Sequence, residues 1–134
     1  FISREKINKI TAHIKNFYNL DFVIDNSNFN ISPGSFLRFN KICIDNDLSE
    51  KSNILTTTNK LLNLFKKNKD YNNLNLLKLF FENFFYDLIQ KDNFDLETHI
   101  NNKKKILYSI DDFTKYNLNV ALTINKIESI IENE

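Results

Sequence analysis

The residues in this chain that could do chemistry are few and far apart. Two histidines, His13 and His99, and one cysteine, Cys43, are its obvious metal-ligand types. A zinc site needs several such ligands converging, and neither His has a Cys or carboxylate at ligand spacing, so both read as exposed helix histidines. Asp45-x-Asp47-x-Ser49 is the nearest approach to a calcium loop. It carries Glu50 where the sharp turn needs Gly and Thr56 where a bidentate Glu is needed, so an N-capping cluster explains it better. One Gly in the whole chain leaves no material for a phosphate-cradling loop, and no Ser sits in a recognisable nucleophile turn. Two basic runs, Lys66-Lys67-Asn68-Lys69 and Lys103-Lys104-Lys105, carry the charge to touch phosphates, although such runs are more often solvated helix ends. No catalytic, cofactor-binding or metal-binding residue is assigned, and no cofactor is expected.

The elements that carry these residues are helices. The chain holds one Gly and one Pro, adjacent at Pro33-Gly34, where a β-rich domain of 134 residues would need many turn residues. Ser3 is placed to cap a first helix bearing Ile7, Ile10, Ile14 and Phe17 on one face, and a short helix is expected near Phe22 to Asn26. Ser32-Pro33 is the strongest local signal, a Ser N-cap followed by Pro at the first helical position. That helix runs toward Ile44. Asp47 or Ser49 is expected to open a longer one through Ile54, Leu55, Leu61, Leu62 and Phe65. The next, Asn72 to Lys91, carries Leu74, Leu77, Phe81, Phe84 and Leu88 as one stripe. A sixth is expected over Asp95 to Lys115. The last runs from Asn119 to Glu132, with Val120, Ile124, Ile127 and Ile131 on one face. The fold class is all-α, a bundle of about six to seven helices.

Composition sets the remaining bounds. Hydrophobic residues make up 42% and charged residues 26%, too apolar for a disordered chain, and the net charge of +1 gives no bulk pull toward nucleic acid or membrane. The 23 Asn, 17 Ile and 16 Lys against 2 Arg and 2 Ala read as codon bias, so many Asn are expected to be surface filler. The most apolar stretch, Leu74 to Ile89, is interrupted by Lys78, Glu82 and Asp87, which hydrocarbon would not tolerate. One Cys fits a reducing, cytoplasmic setting. The absence of Met makes Phe1 read as a fragment boundary, leaving room for a domain upstream.

At Ile31-Ser32-Pro33-Gly34-Ser35-Phe36-Leu37-Arg38-Phe39 the chain resembles the Gly-Ser-Pro-Gly-x-Ala-Leu-x-Leu segment that opens a helix in the lid of AAA+ clamp-loader ATPases. Phe1-Ile2-Ser3-Arg4-Glu5-Lys6-Ile7 resembles the Leu-Ser-x-Glu start of the same lid. Asn119-Val120-Ala121-Leu122 resembles the closing helix of the delta-prime subunits of bacterial DNA polymerase III. The resemblance implies a lid end over 1–45 and a helical collar over 46–134, which could also pack as one unit, with the Walker domain upstream. Where ATP-hydrolysing members place a phosphate-sensing arginine this chain has Ser35, which supplies no fixed positive charge; Arg38 is not assigned that role. Ile31 replaces the family's first Gly.

The implied function is non-catalytic oligomerisation that supports sliding-clamp loading in DNA replication, with the delta and gamma/tau-like subunits as partners, DNA contact at most indirect, and no membrane. A helical RNA- or tRNA-binding appendage of a larger enzyme, or a stand-alone helical adaptor, is the alternative. Leu76, Leu79, Tyr86 and Ile89 fall outside the central stripe, and Leu118 and Leu122 lie opposite Val120 and Ile127. Partner-binding residues are therefore expected among Leu79, Tyr86 and Leu122, partly exposed in the isolated chain.

Overall fold

The computed structural model describes Ser3, Glu5, Lys6, Lys9 and residues 32–49, 51–91 and 95–132. Of these residues 84% are helical and none lies in a strand. The chain divides into two compact units, Phe1–Ser52 and Asn53–Glu134.

In the first unit, Glu5, Lys6 and Lys9 are helical, and the Ser3 hydroxyl accepts from the Lys6 N–H at 3.3 Å, the expected cap. The stripe from Ile7 to Phe17 and the short helix near Phe22 lie outside the described residues. Helix α1 spans Pro33–Asp45. Ser32 is extended and its hydroxyl accepts from the Ser35 N–H at 3.2 Å, while Pro33 occupies a position where an N–H would be orphaned anyway. Phe36, Phe39, Asn40 and Cys43 form its buried face, at three- and four-residue spacing. Asn40 is held there by donating to the Phe36 carbonyl at 2.9 Å.

Asp45, Asp47 and Ser49 do not cap the next helix, contrary to the sequence expectation. They end α1. Asp47 takes a left-handed φ of 54°. The Leu48 N–H reaches back to the Cys43 carbonyl at 2.9 Å and the Asp47 N–H to Ile44 at 3.5 Å, the paired bonds of a Schellman ending, and Leu48 is buried beneath it. The cap of the following helix is Asn53, whose Oδ1 accepts from Leu55 and Thr56 N–H groups.

The second unit holds α2 (Ile54–Asn68), α3 (Tyr71–Lys91), α4 (Leu96–Lys115) and α5 (Val120–Glu132). Five helices are thus delimited among the described residues, against the six to seven expected over the whole chain. Packing follows a ring, in which α2 meets α3, α3 meets α4, α4 meets α5, and α5 returns to α2. Short connections make consecutive helices antiparallel, so this is an up-down-up-down bundle. With so little glycine the turns use polar residues instead. Lys69 and Asn117 adopt left-handed φ values of 57° and 50° at the ends of α2 and α4. Asp70 and Asn119 then cap α3 and α5, accepting from the N–H groups of Asn72 and of Ala121 and Leu122.

The core comprises Leu61, Leu62 and Phe65 from α2, Leu74, Leu76, Leu77, Leu79, Phe80, Phe81 and Phe85 from α3, Ile106, Ile110 and Phe113 from α4, and Ile127 from α5. Hydroxyls on these buried faces bond one turn back, Thr58 to the Ile54 carbonyl, Ser109 to Lys105 and Thr123 to Asn119. Asn73 is also buried, donating to Asn68 Oδ1 and to the Asp70 carbonyl. Asn40, Asn73 and Asn102 are therefore structural rather than surface filler.

Candidate functional site

The three expected partner residues have different environments. Leu122 is 67% exposed and Tyr86 is 43% exposed, whereas Leu79 retains 9% and belongs to the core. The placement of Leu79 on an outer face is thus corrected. Helix α3 has partners on two sides, so its buried arc includes Leu76, Leu79 and Phe80 as well as the Leu74–Leu77–Phe81 stripe. A single stripe underestimates a helix packed between two others. The opposite correction applies to Phe84, which lies on the stripe but is only half-buried. At 21 residues α3 is about 31 Å long, against about 22 Å for the 15-residue α2, so its last turns outrun that neighbour.

Tyr86 and Leu122 do not share a patch. They sit on α3 and α5, which are not neighbours in the ring, and near opposite ends of it. Each marks a different surface. Around Tyr86, the α3–α4 register is fixed by two cross-helix ion pairs, Lys78–Asp111 at 2.6 Å and Lys103–Glu82 at 2.9 Å. Continuing that antiparallel register one turn further brings Tyr86 opposite Ile100 and Ile89 opposite Leu96. Tyr86, Leu96 and Ile100 are all exposed, at 43%, 44% and 38%. The sequence pointed to Tyr86 alone, because Leu96 and Ile100 join it only through the hairpin. Leu122 sits among Asn125, Lys126 and Ser129 on the outer face of α5, while Val120, Ala121 and Ile124 border a shallow groove against Leu55, Asn59 and Asn63 of α2.

Among the possible ligand residues, His99 is buried at 4% exposure rather than exposed, because it shares the inner face of α4 with Asn102, Ile106 and Ile110. Cys43 is a buried free thiol, and His13 lies outside the described residues. Among the described residues no group of three or more His, Cys, Asp or Glu comes together to hold a metal ion. No described helix is long and apolar enough to cross a membrane. At the start of α1, the Ser35 hydroxyl accepts from Ser32 Oγ at 3.0 Å and from Arg38 Nη2 at 3.5 Å, so its bonds are local. No family model, curated protein or solved structure matches the chain.

Proposed function

We propose that this chain is a non-catalytic assembly module, the lid end and helical collar of a delta-prime-like clamp-loader subunit acting in the cytoplasm. The observation that carries this reading is the order of its two compact units. A Ser-Pro-Gly-capped helix lies in the first, and an up-down four-helix bundle forms the second. That is the sequence of parts the family resemblance implies. Support also comes from Ser35, whose hydroxyl is occupied within its own helical turn and offers no cation to a nucleotide phosphate.

The exposed apolar surfaces suit the work of a ring subunit. A member of a ring meets two neighbours through two different faces. The Tyr86–Leu96–Ile100 flank of α3 and α4 provides one such face and the Leu122 side of α5 another, near the opposite end of the bundle. Tyrosines such as Tyr86 are among the residues that carry most of the energy in protein interfaces, and the apolar contacts around them exclude water.

Co-elution with purified delta and gamma/tau-like subunits of the same organism tests the assignment. The wild-type chain should join the complex, and Tyr86→Asp combined with Ile100→Asp should weaken it without changing the melting temperature of the chain. Failure of the wild-type chain to associate with any loader subunit removes the functional assignment. Undiminished association by a folded double variant removes that flank.

A further inference from the structure

We infer that one end of the four-helix bundle is a binding surface for single-stranded DNA, formed by Lys66, Lys67, Lys69 and Lys115 around the exposed rings of Tyr71 and Tyr116. The family resemblance leaves DNA contact at most indirect, so this surface goes beyond it; the choice of DNA over RNA rests on the proposed replication role.

The bundle topology gathers these residues. The C-terminal ends of α2 and α4 and the N-terminal ends of α3 and α5 meet at one end, and Lys66 Nζ donates to Asn117 Oδ1 at 2.7 Å across 51 residues of sequence. A connected aromatic layer lies beneath. Phe65 packs edge-on against Tyr71 with ring centroids 5.1 Å apart and lies 6.1 Å from Phe113. Lys66 Nζ stands 4.9 Å above the Phe113 ring, Lys69 Nζ 5.5 Å above Phe65, and Lys115 Nζ 5.2 Å above Tyr116. Phe65 and Phe113 are buried, whereas Tyr71 and Tyr116 are 60% and 61% exposed.

Charge and stacking surface therefore coincide. None of the four lysines has a carboxylate partner among the described residues. Three carboxylates lie nearby: Asp70, which accepts from the Asn72 N–H, Asp112, one turn before Tyr116, and Asp111, one turn before Lys115 and paired with Lys78 at 2.6 Å. With Asp111 balanced by Lys78, four cations against the two remaining anions leave the end positive on a chain whose overall charge is only +1. Basic side chains that follow a phosphate backbone, interleaved with exposed aromatic rings on which bases stack, are what single-strand binding requires. The second basic run lacks this combination in part, because Lys103 is tied to Glu82.

Fluorescence anisotropy with a labelled oligothymidylate of about 20 nucleotides tests the surface on the whole chain alone, so the outcome does not depend on assembly with other subunits. Binding should weaken with salt, with a log–log slope approaching about −3 if four lysines meet phosphates. Lys66→Glu, Lys69→Glu and Lys115→Glu together should lower affinity at least about tenfold and flatten the slope. Lys67→Glu with Lys115→Glu gives a milder variant with no change at the Lys66–Asn117 bond, and it should move both quantities in the same direction. Tyr71→Ala and Tyr116→Ala should each lower affinity about fivefold while leaving the slope unchanged. The charge-matched control, Lys104→Glu, Lys105→Glu and Lys126→Glu, should change affinity less than about twofold. No binding at low salt, equal loss in the control, or tighter binding of the matching oligouridylate would each overturn the inference.

Discussion

Leu79 and Leu122 look alike in sequence, both apolar and both off the expected inner stripe, yet only one is part of the core. Leu79 keeps 9% of its surface and Leu122 keeps 67%. Truncating Leu79 to Ala removes buried methyl groups from a helix packed on two sides, and the cavity cannot fully collapse, so the loss should be about 2–4 kcal/mol. The unit that contains it spans Asn53–Glu134, a size at which about 1 kcal/mol moves the melting temperature by about 4–8 °C. The expected shift for Leu79→Ala is therefore a fall of at least about 8 °C. Leu122→Ala touches nothing buried and should stay within about 0.5 kcal/mol of the parent. Replacement of Leu79 by Asp adds an unpaired buried carboxylate and should leave no stable fold, whereas Leu122→Asp should fold normally. Thermal and urea unfolding followed by circular dichroism measures all four variants. Equal stability of Leu79→Ala and Leu122→Ala would refute the two-sided burial of α3.

Three further outcomes follow from the same packing. Phe81→Ala should cost about 3–5 kcal/mol because Phe81 is fully buried, while the half-buried Phe84→Ala should cost clearly less, as read by urea midpoints. Lys69→Gly should stabilise the chain by up to about 1 kcal/mol, since Gly adopts the left-handed φ of 57° without a Cβ penalty; an unchanged or lower melting temperature would show that the Lys69–Phe65 contact outweighs the backbone gain. Asn53→Ala should cost about 1 kcal/mol by leaving the Leu55 and Thr56 N–H groups uncapped, whereas Ser49→Ala, at the position the sequence favoured, should cost less in the same melts.

What the sequence conveyed depended on how local the signal was. Ser32-Pro33 was legible because a cap needs only its own next three residues, and the structure shows that bond. The start of α2 was misplaced because Asp47, Ser49 and Asn53 are all good caps, and only the Schellman ending at Asp47 and the turn from Ser49 to Ser52 assign the first two residues elsewhere. His99 and Leu79 were misjudged for a related reason. Their burial comes from neighbouring helices, and a periodicity count on one helix cannot show how many neighbours it has. The lysine-rich end was least visible of all. Its members lie between Phe65 and Asn117 in the chain, and the hairpins alone bring Lys66 to Asn117 and Phe65 to Phe113.

Sedimentation velocity of the chain with the delta and gamma/tau-like subunits of the same organism tests the proposed assembly role most directly. A complex that grows with concentration and shrinks when Tyr86 and Ile100 carry Asp is the predicted result. Independent sedimentation of the folded wild-type chain at every concentration would contradict it.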